Sequence, residues 1–289
     1  MNARNLRSDA PKRPYLRVQP DTGWLALNWR EIWRFRDLLS TLATRDVKLR
    51  YRQTALGVIW VVLQPLLGAG ILSFVFNLLM GAPTDGVSPF LFSFVGMLAF
   101  TLFSSILTKA SVSLVQNSQL ISKVFFPRLI LPLSVTLSSF LDFAVGLVMM
   151  ALMMLFTRTA PGWTLLFLPL WMLLITFLAL GCGLFFGALM VSYRDVQYVL
   201  PVLVTLLTFA SPVAYSLSRV MDKVPAIFHP LYFLLNPLAS LLNAFRWSIL
   251  GRGEVNWGYV AFAALVSVAA FVVGALAFKS MEGKFADVI

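Results

Sequence analysis

The chain has 289 residues, 59% of them hydrophobic and 12% charged, with a mean hydropathy of +0.84. Ordinary soluble chains carry roughly 45–50% apolar and about 25% charged residues, so a soluble enzyme, a disordered chain and a coiled coil are excluded and an all-α polytopic membrane protein is indicated. One cysteine, Cys182, and one histidine, His229, exclude a disulfide framework and a Cys-cluster or multi-His metal centre; the formal charge of +11 matters here through its placement.

Residues 1–28 read as a disordered, basic cytoplasmic arm. The first 20 residues hold five Lys or Arg, one acid and three prolines. Such a tail is attracted to anionic lipid. A mitochondrial presequence shares the basic, acid-poor composition but not the prolines. The first apolar run begins only after residue 54, too late for a secretory signal.

Residues 29–54 read as an amphipathic interfacial helix. At 100° per residue, Ile32, Phe35, Leu38, Leu39 and Leu42 share an arc of roughly 120°, with Arg34, Arg36 and Asp37 outside it. Continued unbroken, the helix would carry Asp46 and Arg50 into that arc, so a kink or break is expected near Thr44. Such a helix lies in the membrane interface or packs on a partner protein, and the two are compatible.

Residues 55–289 read as the transmembrane domain. A crossing needs about 20 apolar residues for roughly 30 Å of hydrocarbon. Six windows qualify, at about 55–80, 86–108, 129–157, 163–191, 196–218 and 255–278. A seventh, within 224–250, contains Pro225, Pro230 and Pro237. Each proline removes a backbone donor and breaks the helix. The two pieces left, 226–235 and 238–250, are each too short to cross. Broken backbone at membrane depth is tolerated only inside protein or beside water, so this segment is expected to be a re-entrant helical hairpin.

Six crossings put both termini on one side. That side would hold twelve Lys or Arg in 1–54, three in 109–128, Arg194 and two in the tail, eighteen in all, against five on the other. The asymmetry makes it the cytoplasm.

The piece 109–128 is far longer than a tight connection requires. Ser, Gln and Asn dominate it, with Leu114, Leu120, Ile121 and Val124 at near-helical spacing. Pro127 disfavours helix at Phe126 and marks re-entry into the membrane. The piece reads as a short polar cytoplasmic helix projecting between spans 2 and 3, a docking or coupling element, with a plain interfacial loop as the alternative. Asp142 is the one charge inside an expected span. It is either a proton or ion site or a structural acid accepting bonds from Ser and Thr hydroxyls. Gly183 and Gly187 form a small-xxx-small pair that allows close helix approach. His229 lies in an apolar, Pro-rich segment without nearby acids and reads as a hydrogen-bonded structural residue. No nucleotide-binding P-loop is present: Gly274 to Ser280 has Phe278 where the second glycine belongs.

Arg45-Asp46-Val47-Lys48-Leu49-Arg50-Tyr51-Arg52-Gln53-Thr54-Ala55-Leu56-Gly57-Val58-Ile59-Trp60, followed by Gln64-Pro65, resembles the opening of ABC-2 type permeases, closest to the branch exporting O-antigen, capsule and teichoic acid. Phe126-Pro127-Arg128 with Pro132 and Asp142 resembles that branch's entry to the third span. Tyr193-Arg194-Asp195-Val196 resembles its turn between spans four and five, and Asn236-Pro237-Leu238 with Phe245-Arg246 its external hairpin.

The resemblance covers about 45–250 and implies a homodimer of six-span subunits in the bacterial inner membrane with two soluble ATPase subunits, moving a lipid-linked polysaccharide outward. ATP and Mg would then bind the partner ATPase, and this chain would hold no cofactor and act on no nucleic acid. It further implies ATPase coupling at Gln116, Asn117, Lys123, Phe125, Phe126, Pro127 and Arg128, and an external gate at Pro230, Asn236 and Pro237. The 25 Phe, 8 Trp and 7 Tyr suggest a pathway lined partly by rings, with Trp60, Phe74, Phe76 and Phe209 as candidates; core packing or lipid contact is the alternative for each.

Two other functions fit less well. One is an ABC-2 permease for a small hydrophobic molecule or drug. The other is a membrane-embedded glycosyl- or phosphotransferase, which needs acids or histidines gathered at a membrane-facing loop; outside the first 54 residues the acids are few and scattered. A proton-coupled carrier needs more than one buried ionisable group.

Overall fold

The computed structural model describes residues 29–51 and 59–288. The 1–28 arm and the end of the expected 29–54 helix lie outside the described residues. Every described element is helical. Among the described residues, five helices are long and apolar enough to cross a membrane: Ile59–Leu79, Pro89–Gln116, Ile130–Phe156, Trp163–Ser192 and Trp257–Gly283. Such segments fold as helices because hydrocarbon offers no partner for a free N–H or C=O.

In chain order, α1 (Trp29–Arg34) and α2 (Arg36–Tyr51) are followed by α3 (Ile59–Leu72), whose end winds into a π-helical stretch, Ser73–Leu79. Then come α4 (Pro89–Gln116), the short α5 (Ser118–Lys123) and α6 (Ile130–Phe156). A 3₁₀ turn at Trp163–Phe167 leads into α7 (Leu168–Ser192). After α8 (Val196–Ala210) and α9 (Leu217–Lys223) come α10 (His229–Leu235), α11 (Pro237–Leu250) and α12 (Trp257–Val288).

The long helix α4 is the axis of the bundle. It packs on α3, α6, α7 and α11, while α7 packs in turn on α12. The last contact is very close. A Cβ on Gly274 would lie 2.0 Å from the carbonyl oxygen of Gly181, so no larger residue fits there. Gly183 and Gly187 face α4 instead, against Ala110 and Ser111.

Loops gather at two ends. At one, Arg219 donates to the Met80 carbonyl (3.1 Å) and Thr164 donates to the Ser248 carbonyl (3.0 Å). Arg252 donates to the Gly86 carbonyl at the same end. At the other, Arg45 bonds Asn117, and the Arg128 N–H donates to Glu282 (3.4 Å).

Three expectations are corrected. First, α2 runs unbroken through Thr44; the interruption falls at Phe35, between α1 and α2. Asp46 needs no kink because the Ser138 hydroxyl of α6 donates to its carboxylate at 3.0 Å. Second, the helix expected to end near 108 runs on. Helix α4 continues to Gln116 with Ala110, Ser111, Ser113 and Leu114 buried, so the polar projection begins only at Gln116. Third, the helix expected over 196–218 stops at Ala210. Its 15 residues reach about 22 Å at 1.5 Å per residue, short of the roughly 30 Å core.

Beyond α8 the backbone is irregular and buried. Ser211, Pro212, Val213, Ala214 and Ser216 are all shielded. Backbone of this kind needs internal partners, and Arg246 supplies them. Its guanidinium donates to the carbonyls of Pro212 (2.6 Å) and Val213 (2.7 Å) and lies 3.9 Å over the Phe92 ring. Gly96 leaves the room: a Cβ there would sit 2.0 Å from the Val213 oxygen.

Candidate functional site

A cavity of about 710 Å³ opens between α3, α4 and α6. Each helix contributes through its own repeat. Trp60 and Gln64 are one turn apart on α3. Thr101, Ser104, Ser105 and Lys109 follow one face of α4, and Ser139, Asp142 and Gly146 one face of α6. Pro65 in the middle of α3 also lines the space.

At the polar wall the Lys109 ammonium lies 3.1 Å from the Asp142 carboxylate and 3.2 Å from the Ser139 hydroxyl. Ser139 and Ser105 are 3.2 Å apart. Both charged side chains are part-exposed, 25% for Lys109 and 20% for Asp142, so they are reachable from the cavity. Asp142 is therefore not the one charge in the helical bundle, and its carboxylate meets an ammonium. Lys109 was missed because an uncharged window ends at the first charge. The available signal was spacing: it lies on the helical face of Ser105, opposite Ser139 and Asp142.

The expected coupling residues cluster at the end of α4. Gln116 and Lys123 are exposed, Asn117 is part-buried, Phe125 is 65% exposed and Phe126 is 5% exposed. Pro127 and Arg128 are part-buried between them and α6. Asn117 ends α4, donating to the Ser113 carbonyl (2.9 Å) and accepting from Arg45 of α2 (2.8 Å). The apolar arc of the N-terminal helices turns inward: Leu42 is buried and Phe35, Leu38 and Leu39 pack against the core, while Arg34 and Arg36 are exposed. Helix α2 packs chiefly on α6.

Residues 224–250 form two short helices broken at Asn236. Its side chain accepts from the Ala239 N–H (3.2 Å), capping α11, and donates to Ser211 (3.0 Å) at the end of α8. Pro237 occupies the first turn of α11, where its missing N–H is harmless. Pro230 is exposed at the start of α10. His229 Nε2 lies 2.8 Å from the Val224 carbonyl and 3.2 Å from that of Met221, closing the turn before α10. Of the four candidate rings, the structure brings only Trp60 to the cavity. Phe76 contacts the Tyr215 ring at 5.5 Å, and Phe74 and Phe209 are exposed. Arg246, the most consequential buried cation, was missed as a site because charge counting assigned it to an external loop.

A family model described as ABC-2 type transporter matches residues 37–250. The chain belongs to the ABC-2 type transporter family. It is 29% identical over 260 residues to an O-antigen export system permease protein, RfbA, of Myxococcus xanthus, covering 90% of this chain and 98% of that protein. An O-antigen export system permease protein RfbA of Klebsiella pneumoniae is 26% identical over 254 residues, covering 88% and 95%. The polysialic acid transport protein KpsM of Escherichia coli is 25% identical over 250 residues, covering 84% and 93%. An ABC-2 permease is a transport subunit.

Proposed function

We propose that this chain is the membrane-spanning permease subunit of an ATP-driven exporter that moves a lipid-linked, O-antigen-like polysaccharide from the cytoplasm across the inner membrane. The observation that carries the proposal is end-to-end similarity to polysaccharide export permeases, 93–98% of whose lengths are matched. A polymer of hydroxylated sugars cannot enter hydrocarbon unaided, since each unpaired hydroxyl costs several kcal/mol, roughly 2–7. The subunit works as a homodimer with two soluble ATPase subunits, which bind ATP and Mg. Six crossings place both termini in the cytoplasm; α8 together with the shielded 211–216 stretch makes the fifth. Arg219 and Arg252 both reach the 80–88 loop, which supports a re-entrant hairpin between them. The ATPase docks on the exposed surface of α5 and its flanks, with α2 beside it through Arg45.

The test is complementation. A strain lacking its own O-antigen permease and ATPase receives this chain with its partner ATPase. Restored surface glycan supports the proposal. Absent glycan, with the complex inserted and hydrolysing ATP, refutes it.

A further inference from the structure

We propose that the cavity between α3, α4 and α6 is a saccharide subsite, holding a short stretch of neutral pyranose units during transport. This rests on the polysaccharide reading and extends it to a specific place within one subunit.

Size and chemistry both select the ligand. At about 710 Å³ the space is in the range of small-molecule sites, ≈ 300–1,000 Å³. Its polar wall carries Gln64, Thr101, Ser104, Ser105 and Ser139 beside the Lys109–Asp142 pair. Ser104 and Ser139 donate to carbonyls of their own helices, Thr101 (3.3 Å) and Val135 (2.9 Å). The Ser104 oxygen keeps its acceptor capacity, whereas that of Ser139 is taken up by Lys109 and Ser105; Gln64 and Thr101 add further amide and hydroxyl groups. The wall therefore offers both acceptors and donors, as a diol requires. An acyl chain would strip water from these groups and return no hydrogen bond. A phosphate would need net positive charge, whereas the described lining residues carry one ammonium and one carboxylate in contact.

Apolar side chains make up the rest of the lining, which opens at a ring one turn from Gln64 on α3. Trp60 is 43% exposed and Phe143 is 3% exposed, so the cavity runs from an accessible indole to a buried floor. The indole can bury the C–H face of a pyranose while the hydroxyl edge meets α4 and α6. Neutral ligand, mixed hydrogen bonding and one open ring together describe a sugar.

The test uses the full chain in lipid nanodiscs with Cys182→Ser and one reporter, Ser104→Cys or, separately, Thr101→Cys. The rate of modification by a small methanethiosulfonate reagent is measured alone, with oligosaccharide cut from the source organism's own surface glycan, and with glycerol phosphate. The oligosaccharide is expected to slow modification about tenfold, equivalent to about 1.4 kcal/mol, at whichever reporter folds. Trp60→Ala is expected to abolish the protection and Trp60→Phe to retain it. No slowing by oligosaccharide overturns the proposal, and so does equal slowing by glycerol phosphate, which marks a lipid-headgroup site. Surface glycan is scored in parallel with the unaltered chain. If glycan is restored but no protection is seen, the subsite alone falls; if glycan is not restored, the exporter reading falls.

Discussion

Arg246 shows how one buried charge can be a structural necessity. Its guanidinium satisfies two carbonyls of a non-helical stretch that hydrocarbon would otherwise forbid. Arg246→Met should leave both unpaired, at about 1–3 kcal/mol each, and lower the thermal unfolding midpoint of the detergent-purified chain. Arg246→Lys should recover only part of the loss, because a point ammonium does not reproduce the planar fork. Equal midpoints for all three proteins would show that other groups hold the stretch. The Lys109–Asp142 pair makes a different point. Removing one partner takes a counter-charge from the other, so Lys109→Ala should destabilise more than the double change with Asp142→Ala. The pair is part-exposed, which reduces the expected coupling to on the order of 1 kcal/mol. A double-mutant cycle on the same midpoints measures it, and additive effects would show no coupling.

At the scale of elements, α2, α5 and α6 form one unit. Arg45 grips Asn117, and Ser138 donates to Asp46. A force applied at α5 therefore reaches α6 by two routes, through the chain at Phe126–Arg128 and through α2. Lys123→Glu, or a bulky change at Gln116 or Asn117, is expected to uncouple ATP hydrolysis from export while the subunit still inserts and dimerises. Co-purification with the ATPase, its stimulated hydrolysis and surface glycan are the readouts. Unchanged export across all three variants would place the coupling surface elsewhere, most directly on α2. The hairpin is the second informative element. Asn236 caps α11 and holds the end of α8, so motion of α11 and of α8 is linked through one side chain.

For the whole molecule, the decisive question is which ends share a side. Single cysteines at Lys223 and Arg252, in a Cys182→Ala background, should both be modified by an impermeant reagent from outside intact cells. Modification of one from outside and the other only from inside would make 224–250 a full crossing and reverse the side of the C-terminus. The helical class, the long apolar segments and the broken 224–250 segment were legible from the sequence, because they depend on local quantities: apolar length, proline position and the absence of charge. The hairpin's two pieces were expected at 226–235 and 238–250 and occur at Ala226–Leu235 and Pro237–Leu250. Tertiary structure decided what depends on a partner distant in sequence. Asp46 stays within an unbroken α2 because Ser138 of α6 meets it. Helix α8 ends early because Arg246, 31 to 34 residues further on, takes up the freed carbonyls. Lys109 belongs to the bundle because Asp142, 33 residues away, offers it a counter-charge. A polar group within the membrane is fixed by its partner, and a single sequence names the group without naming the partner.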